Sequence, residues 1–160
     1  MDSITLVAGT STDGLSDLQV AQDGDTYHID EVTGTPGLDL IADFVDVTKF
    51  DYVQVIANYR GSATHTVSIQ LYDWARAEWH TWSSCVGIEI TKVNRSYWVP
   101  CPVNYIGTGA DAGKVRLRCV HTMGGNASHD FYIDVLALYN REVDLDALED
   151  KLNHHWGPWR

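Results

Sequence analysis

Apolar and polar residues alternate along most of this chain, and this repeat of two is the pattern of a β-strand with one buried face. The clearest case runs from Tyr52 to Arg60, where every second residue from Val53 to Tyr59 is apolar or aromatic. Short clusters of Gly, Asn, Asp and Ser separate the alternating stretches, and such clusters are typical of turns. The sequence therefore predicts an all-β protein.

The number and spacing of these stretches predict an antiparallel β-sandwich with jelly-roll-like topology. Four strands are clear: Tyr52 to Arg60, Thr66 to Tyr72, Lys114 to His121 and Asp130 to Tyr139. Weaker strands are Ile4 to Ala8, Leu18 to Ala21, Thr26 to Glu31, Gly37 to Phe44, Trp79 to Ser83, Ile88 to Lys92 and Tyr97 to Pro100. The short turn at 61–64 predicts that the first two clear strands form a hairpin. The last clear strand is apolar on both faces, with Phe131, Ile133, Val135 and Ala137 on one of them, which predicts a central position.

The pattern changes near residue 140, which divides the chain into a predicted sandwich domain, 1–140, and a C-terminal segment, 141–160. Asp144 is a suitable N-cap for one short helix, Glu142 to Asn153, with a stripe of leucines on one face. Two tryptophans follow in the final tail. We expect these apolar residues to dock on other subunits: Leu145, Leu148, Leu152, Trp156 and Trp159.

Charge is distributed unevenly along the chain, whose formal net charge is −11. The first 48 residues contain ten acids and no Lys or Arg. Nucleic acid and anionic membranes are therefore not expected as partners, because binding them requires a basic face. Lys114, Arg116 and Arg118 form a basic row that can face solvent, the acidic third of the same chain, or a neighbouring subunit.

The N-terminus predicts synthesis without a standard secretion signal. It carries Asp2 where a signal peptide needs positive charge, and it lacks a sustained apolar region. No apolar run approaches the roughly 20 residues needed to cross a bilayer. The spacing of the three cysteines, Cys85, Cys101 and Cys119, matches no metal-binding motif. We predict that all three are buried and unpaired.

The sequence contains no catalytic or metal-binding spacing, so neither an enzyme nor a bound cofactor is predicted. No G-x-S-x-G context or distinctive carboxylate pair is present. His154 and His155 are adjacent, but no third ligand is apparent for a transition metal.

The aromatic segment 72–82 is the best candidate for molecular recognition. Trp74 lies in a predicted turn, whereas Trp79 and Trp82 have opposite strand parity, so at most one of the latter two fits the core. An exposed indole can stack on a sugar ring, anchor a protein interface, or cover the edge of its own sandwich.

Two histidines, His65 and His129, each follow a small-residue turn and precede a predicted strand. Each imidazole can tie its turn to a backbone carbonyl. Alternatively, the two form a cluster at one end of the sandwich that binds a ligand or senses pH.

Three stretches carry a family resemblance: 50–59, 61–73 and 125–138. They resemble the jelly-roll modules of tailed-bacteriophage virion proteins, among them head decoration proteins, head fibres and tail adhesins. Residues 132–135 are also similar to the last strand of many carbohydrate-binding modules. That second resemblance implies a structural calcium ion held by Asp134 near an N-terminal acid such as Glu31.

These resemblances imply a non-enzymatic virion protein, made in the host cytoplasm, that decorates or cements a phage capsid. Its expected partners are other virion proteins and further copies of itself, with contacts from the C-terminal segment and from Arg116 and Arg118. The alternative is a phage adhesin module that binds a cell-surface glycan through Trp74, Trp79 or Trp82, with His65 and His129 as further candidates.

Overall fold

The computed structural model describes residues 1–18 and 25–140, which form two antiparallel β-sheets packed face to face. The five-stranded sheet has the order β1 (Ser3–Ala8), β3 (Leu38–Phe44), β8 (Val115–His121), β5 (Thr66–Asp73) and β6 (Glu78–Val86). The four-stranded sheet has the order β2 (Tyr27–Asp30), β9 (Asp130–Tyr139), β4 (Tyr52–Arg60) and β7 (Val93–Trp98). Successive strands alternate between the sheets except at β5 and β6, as in a jelly roll. The predicted β-sandwich is confirmed.

The hydrophobic core lies between the two sheets and is supplied by alternate residues of each strand. On β4 the inward residues are those predicted from the repeat of two, from Val53 to Tyr59. Tyr59, Phe131 and Leu117 are among the largest side chains that are fully buried. Burial of this apolar surface is the main favourable contribution to folding.

The predicted hairpin between β4 and β5 is wrong, because the two strands belong to different sheets. β4 pairs with β7 and β9, whereas β5 pairs with β6 and β8. The connection at 61–65 crosses from one sheet to the other, so each strand turns its apolar face toward the core. Alternation specifies which face of a strand is buried but does not specify its partner.

β9 has the predicted bounds and lies between β2 and β4, as its two apolar faces indicated. A bulge at Asp134 interrupts its pairing with β4, where the register shifts between Ile56 and Ala57. One extra residue reverses the parity of the rest of a strand. Leu136 therefore points into the core, and Val135, which was predicted to share a face with Phe131 and Ile133, lies opposite Ile56 on the outer face.

One of the weaker predicted strands is also corrected, and another lies mostly outside the described residues. Residues 88–92 form a loop with a single bridge from Ile88 to Arg60, and the strand in this region is Val93–Trp98. Of the predicted strand Leu18 to Ala21 only Leu18 is described, and it ends the 3₁₀ helix Leu15–Leu18. Two further 3₁₀ helices are Pro102–Tyr105 and Gly109–Asp111. The predicted helix at 142–153 and the tail lie outside the described residues.

All three cysteines are free, but only two are buried. Burial raises the pKa of the Cys85 thiol to about 12 and that of Cys119 well above its usual value. Cys101 is exposed, in contrast to the prediction, because it occupies the loop before Pro102–Tyr105 with a left-handed φ of 52°.

No helix within residues 1–18 and 25–140 has both the length and the apolar character required to cross a membrane.

Candidate functional site

The outer face of the five-stranded sheet carries a patch of aromatic and charged side chains. On β5 the inward residues alternate with outward ones that include Gln70 and Tyr72. Arg116 and Arg118 point outward from β8, and Trp79 of β6 lies directly opposite Tyr72. Residues directly opposite in an antiparallel pair share a face, so the topology brings these side chains together.

The Tyr72 ring in this patch contacts two indoles edge to face. The centroid of the Tyr72 ring lies 4.9 Å from that of Trp74 and 5.1 Å from that of Trp79, with interplanar angles of 83° and 66°. The Arg116 guanidinium carbon lies 5.8 Å from the Trp74 ring centroid, and that of Arg118 lies 5.2 Å from the Trp79 ring centroid. We call these five residues the aromatic platform.

A buried carboxylate fixes the turn that carries Trp74. Asp73 accepts a 3.0 Å hydrogen bond from the Arg76 backbone and a 2.7 Å bond from its guanidinium. Burial raises the pKa of the Asp73 carboxyl, but the bonds from Arg76 outweigh it and hold the pKa below its usual range. The Trp74 backbone N–H also donates to the carbonyl of Asn104 at 2.9 Å. Trp74 therefore lies in the predicted turn, and that turn is held at two points.

Both platform arginines form bidentate pairs with acids of β3 in the same chain. Arg116 donates to Asp43 at 2.7 and 2.9 Å, and Arg118 donates to Asp39 at 2.7 and 2.8 Å. These hydrogen bonds raise the pKa of each guanidinium above its ordinary value. The sequence left open whether these arginines face solvent, the acidic third of the same chain or a neighbouring subunit. In the structure they pair with the acidic third of the same chain.

Trp82 lies apart from the platform. The register between β5 and β6 shifts at this residue, and its side chain packs against the core with its ring 5.7 Å from that of Tyr105. The opposite parity of Trp79 and Trp82 therefore separates them as predicted. Gln70 and Thr81, joined by a 3.0 Å hydrogen bond, extend the outer face beside the platform.

The sandwich contains a buried network of histidines around one carboxylate. Glu31 accepts hydrogen bonds from the Tyr59 hydroxyl at 2.9 Å and from the Asn126 backbone at 3.0 Å. Nδ1 of His129 lies 3.1 Å from one Glu31 oxygen, and Nδ1 of His121 lies 2.5 Å from the other. Burial lowers the pKa of His121, and Glu31 offsets only part of that effect.

The His65 ring completes this network, with its centroid 5.3 Å from that of His129 and 4.8 Å from that of His121. The structure thus brings His65 and His129 together. The sequence offered a backbone carbonyl as one possible partner of His129. In the structure its partner is the Glu31 carboxylate. Glu31 and His121 have almost no exposed side-chain surface, so this part of the network links the sheets from inside the fold.

The calcium pairing of Glu31 with Asp134 is contradicted by strand register. The Glu31 N–H donates to the carbonyl of His129, five residues before Asp134 on β9. At the rise of a β-strand the two levels are about 17 Å apart. One carboxylate oxygen of Asp134 instead lies 3.6 Å from the Lys92 ammonium. These two acids do not form one site.

The outer face of the four-stranded sheet carries aromatic residues that sequence reasoning missed. Trp98 is 60% exposed and lies opposite Tyr52, whose ring stacks on that of Tyr139 at 5.3 Å. Trp98 lies on the same face of β7 as Asn94 and Ser96. These polar neighbours are the sequence signal that Trp98 faces outward. Near the other end of this face a groove of about 550 Å³ is lined by Thr26, Asn58, Arg60, Ile90, Thr91, Lys92 and Tyr132.

The predicted subunit contacts at Leu145, Leu148, Leu152, Trp156 and Trp159 lie outside the described residues. They stay predictions, as does the division of the chain near residue 140.

Neither a protein family nor a curated protein matches the sequence. Among solved structures, the chain is similar to the N-terminal cellulose-binding domain of Cellulomonas fimi β-1,4-glucanase C, with a TM-score of 0.52 and 15% identity over 84% of this chain and 96% of that one. It is also similar to the second N-terminal cellulose-binding domain of the same enzyme, with a TM-score of 0.51 and 10% identity over 89% of this chain and 88% of that one. At such identities the similarity establishes the β-sandwich fold.

Proposed function

We propose that this protein is a non-catalytic glycan-binding module whose ligand lies on the aromatic platform. The observation that carries the proposal is the platform itself: two indoles and a phenol flanked by two arginines that are already paired with acids. The fold similarity to two cellulose-binding domains supports the same class of ligand.

The aromatic rings of the platform match the apolar face of a pyranose ring. One face of such a ring is a layer of C–H groups, which packs against the π-face of an indole. Tyr72 lies between Trp74 and Trp79 at about 5 Å from each and meets both edge to face, so the three rings form one contiguous aromatic patch. Trp79 is partly exposed at the sheet surface, which leaves part of its ring for contact with a sugar.

The Arg–Asp pairs supply polar groups for the sugar hydroxyls. A guanidinium has five N–H donors, and each bidentate pair uses two of them. The remaining donors of Arg116 and Arg118, whose side chains are 31% and 23% exposed, are held in fixed positions. Preorganised groups lose little entropy when a ligand binds.

The charge of the platform favours a neutral glycan. Arg116 and Arg118 are each balanced by an aspartate, so the patch presents no excess of either sign. An anionic polysaccharide would have to compete with Asp39 and Asp43 for the same guanidinium groups. We therefore infer a neutral polysaccharide as the ligand, and the strongly negative chain as a whole supports this choice.

The acids paired with the platform arginines favour binding over hydrolysis. Glycoside hydrolysis requires two facing carboxyl groups whose pKa values differ, so that one is an acid and the other a base or nucleophile. Asp39 and Asp43 are both locked to guanidinium groups in the same manner. Each carboxylate therefore accepts two guanidinium hydrogen bonds, and neither is placed to act as the general acid that hydrolysis requires.

Assembly on a phage particle stays a prediction of the sequence resemblance, together with the virion location that it implies. It depends mainly on the C-terminal residues 145–159, which lie outside the described residues. Arg116 and Arg118, the other expected subunit contacts, are engaged with Asp43 and Asp39 of their own chain. Glycan binding is thus the function that the described geometry supports best.

The proposal is tested by affinity gel electrophoresis of the full chain through soluble polysaccharides. The panel contains neutral β-glucans, including hydroxyethylcellulose, with xylan, galactan and mannan, and the polyanions alginate and polygalacturonate. We expect at least one neutral polymer to retard the protein, because an aspartate balances the charge of each platform arginine. Retardation by polyanions alone, or by no polymer in the panel, would contradict the proposal.

A further inference from the structure

The four-stranded sheet brings one imidazole and two carboxylates together at the edge formed by β2. His28 and Asp30 are two residues apart on β2 and so share a face. Asp130, the first residue of β9, lies directly opposite Asp30. Topology therefore assembles three potential metal ligands from two strands that are 100 residues apart in sequence.

Two of the three distances between the ligand atoms match those around a small tetrahedral ion. Nε2 of His28 lies 3.3 Å from Oδ1 of Asp30 and 3.3 Å from Oδ1 of Asp130. All three atoms lie within 4.8 Å of one another. An ion with bonds of about 2.0 Å in tetrahedral geometry places its ligand atoms about 3.3 Å apart.

The imidazole is held in position by its neighbours. Its ring stacks on that of Tyr132 with centroids 4.5 Å apart and an angle of 5°. The His28 backbone N–H donates to the Asp13 carboxylate at 2.6 Å, and Asp30 exchanges two 2.9 Å backbone bonds with Thr10. Ligands that are fixed in advance favour binding because little ordering is left for the ion to impose.

Electrostatics at this edge favour a cation. Two carboxylates directly opposite on neighbouring strands repel each other. Arg60 lies opposite Asp130 in register, but its guanidinium covers the Tyr132 ring at 4.7 Å and donates to the carbonyl of Ile90. A divalent ion between Asp30 and Asp130 would relieve the repulsion at its source.

We propose that His28, Asp30 and Asp130 bind a divalent transition-metal ion, with Zn²⁺ as the best fit. One nitrogen and two oxygen ligands suit Zn²⁺ and its neighbours, whereas Ca²⁺ and Mg²⁺ prefer oxygen alone. The three side chains are 28–50% exposed, so water or a ligand group completes the coordination. A small hollow of about 100 Å³ beside them is lined by Thr10, Ser11 and Thr12. The site is independent of the aromatic platform, which lies on the other sheet.

Calorimetric titration of the untagged, chelator-treated full chain with Zn²⁺ tests the proposal. We expect the site to contribute one equivalent, with affinity lowered at least about tenfold in His28→Ala and in the isosteric Asp130→Asn. Titration with Co²⁺ should give the intense visible bands of tetrahedral coordination, and these should be weaker in both variants. Far-ultraviolet circular dichroism checks that the variants are folded.

The matched control is the double variant His154→Ala, His155→Ala, which removes the adjacent histidines from the C-terminal segment. It should retain the site and the Co²⁺ bands. Unchanged Zn²⁺ affinity in both His28→Ala and Asp130→Asn would overturn the proposal. The proposal would also be overturned if the control variant lost the equivalent of Zn²⁺ assigned to the site, or if the full chain bound Ca²⁺ more tightly than Zn²⁺.

Discussion

Replacing Glu31 with alanine should lower the free energy of unfolding by about 3–5 kcal/mol, because several buried donors lose their acceptor at about 1–3 kcal/mol each. Glu31 is fully buried and accepts bonds from Tyr59 and the Asn126 backbone. Its removal leaves the Asn126 backbone N–H and the His121 imidazole without their acceptor, takes one of two hydrogen-bond partners from Tyr59 and from His129, and opens a cavity. Urea denaturation followed by tryptophan fluorescence measures the change.

Two further variants separate the network from a general effect of losing an acid. Glu31→Gln retains the side-chain volume and one acceptor, so it should lower the free energy of unfolding by less than Glu31→Ala does. Asp111→Ala removes an exposed ion pair with Lys114 and should change the free energy of unfolding by no more than about 1 kcal/mol. If Glu31→Ala proved no more destabilising than Asp111→Ala, the network would not hold the two sheets together.

Replacing Trp79 with alanine should weaken binding to the preferred neutral polysaccharide about 30-fold, which corresponds to about 2 kcal/mol for a central aromatic contact. Its ring is one of the two indoles of the platform and lies against Arg118. Trp79 is only partly buried, so the variant should stay folded. Calorimetry with a soluble oligosaccharide measures the affinity, and circular dichroism checks the fold.

Trp98→Ala provides the matched control, because it removes an indole that is 60% exposed on the opposite sheet. We expect its affinity to stay within about twofold of the parent. The reverse result, with binding lost in Trp98→Ala and retained in Trp79→Ala, would place the glycan on the four-stranded sheet.

Local alternation carried much of the fold prediction because it reports which face of a strand is buried. It correctly separated Trp79 from Trp82 and placed Arg116 and Arg118 on an outer face. It failed at Asp134, where a single bulged residue reverses the parity that follows. Alternation also does not predict strand partners. β4 and β5 would bury the same apolar faces whether they paired in one sheet or packed across the core from different sheets.

The candidate sites depend on contacts between residues that are far apart in sequence. Asp39 and Arg118 meet only because β3 pairs with β8, and Asp30 meets Asp130 only because β2 pairs with β9. Glu31 gave no sign of its role, since the Tyr59 and His129 partners come from other strands and turns. Trp74 and Trp79, by contrast, were found because an aromatic cluster within one hairpin is a local feature.

The most direct test of glycan binding at the aromatic platform is a nitrogen-15 NMR titration of the full chain with an oligosaccharide of the retained polysaccharide. The indole N–H resonances should be assigned by single substitutions. We expect the Trp79 resonance to shift in proportion to occupancy while that of Trp98 stays in place. A saturable shift of Trp98 with Trp79 and Trp74 unchanged would contradict the proposed site, and no shift at any indole would contradict aromatic recognition of the glycan.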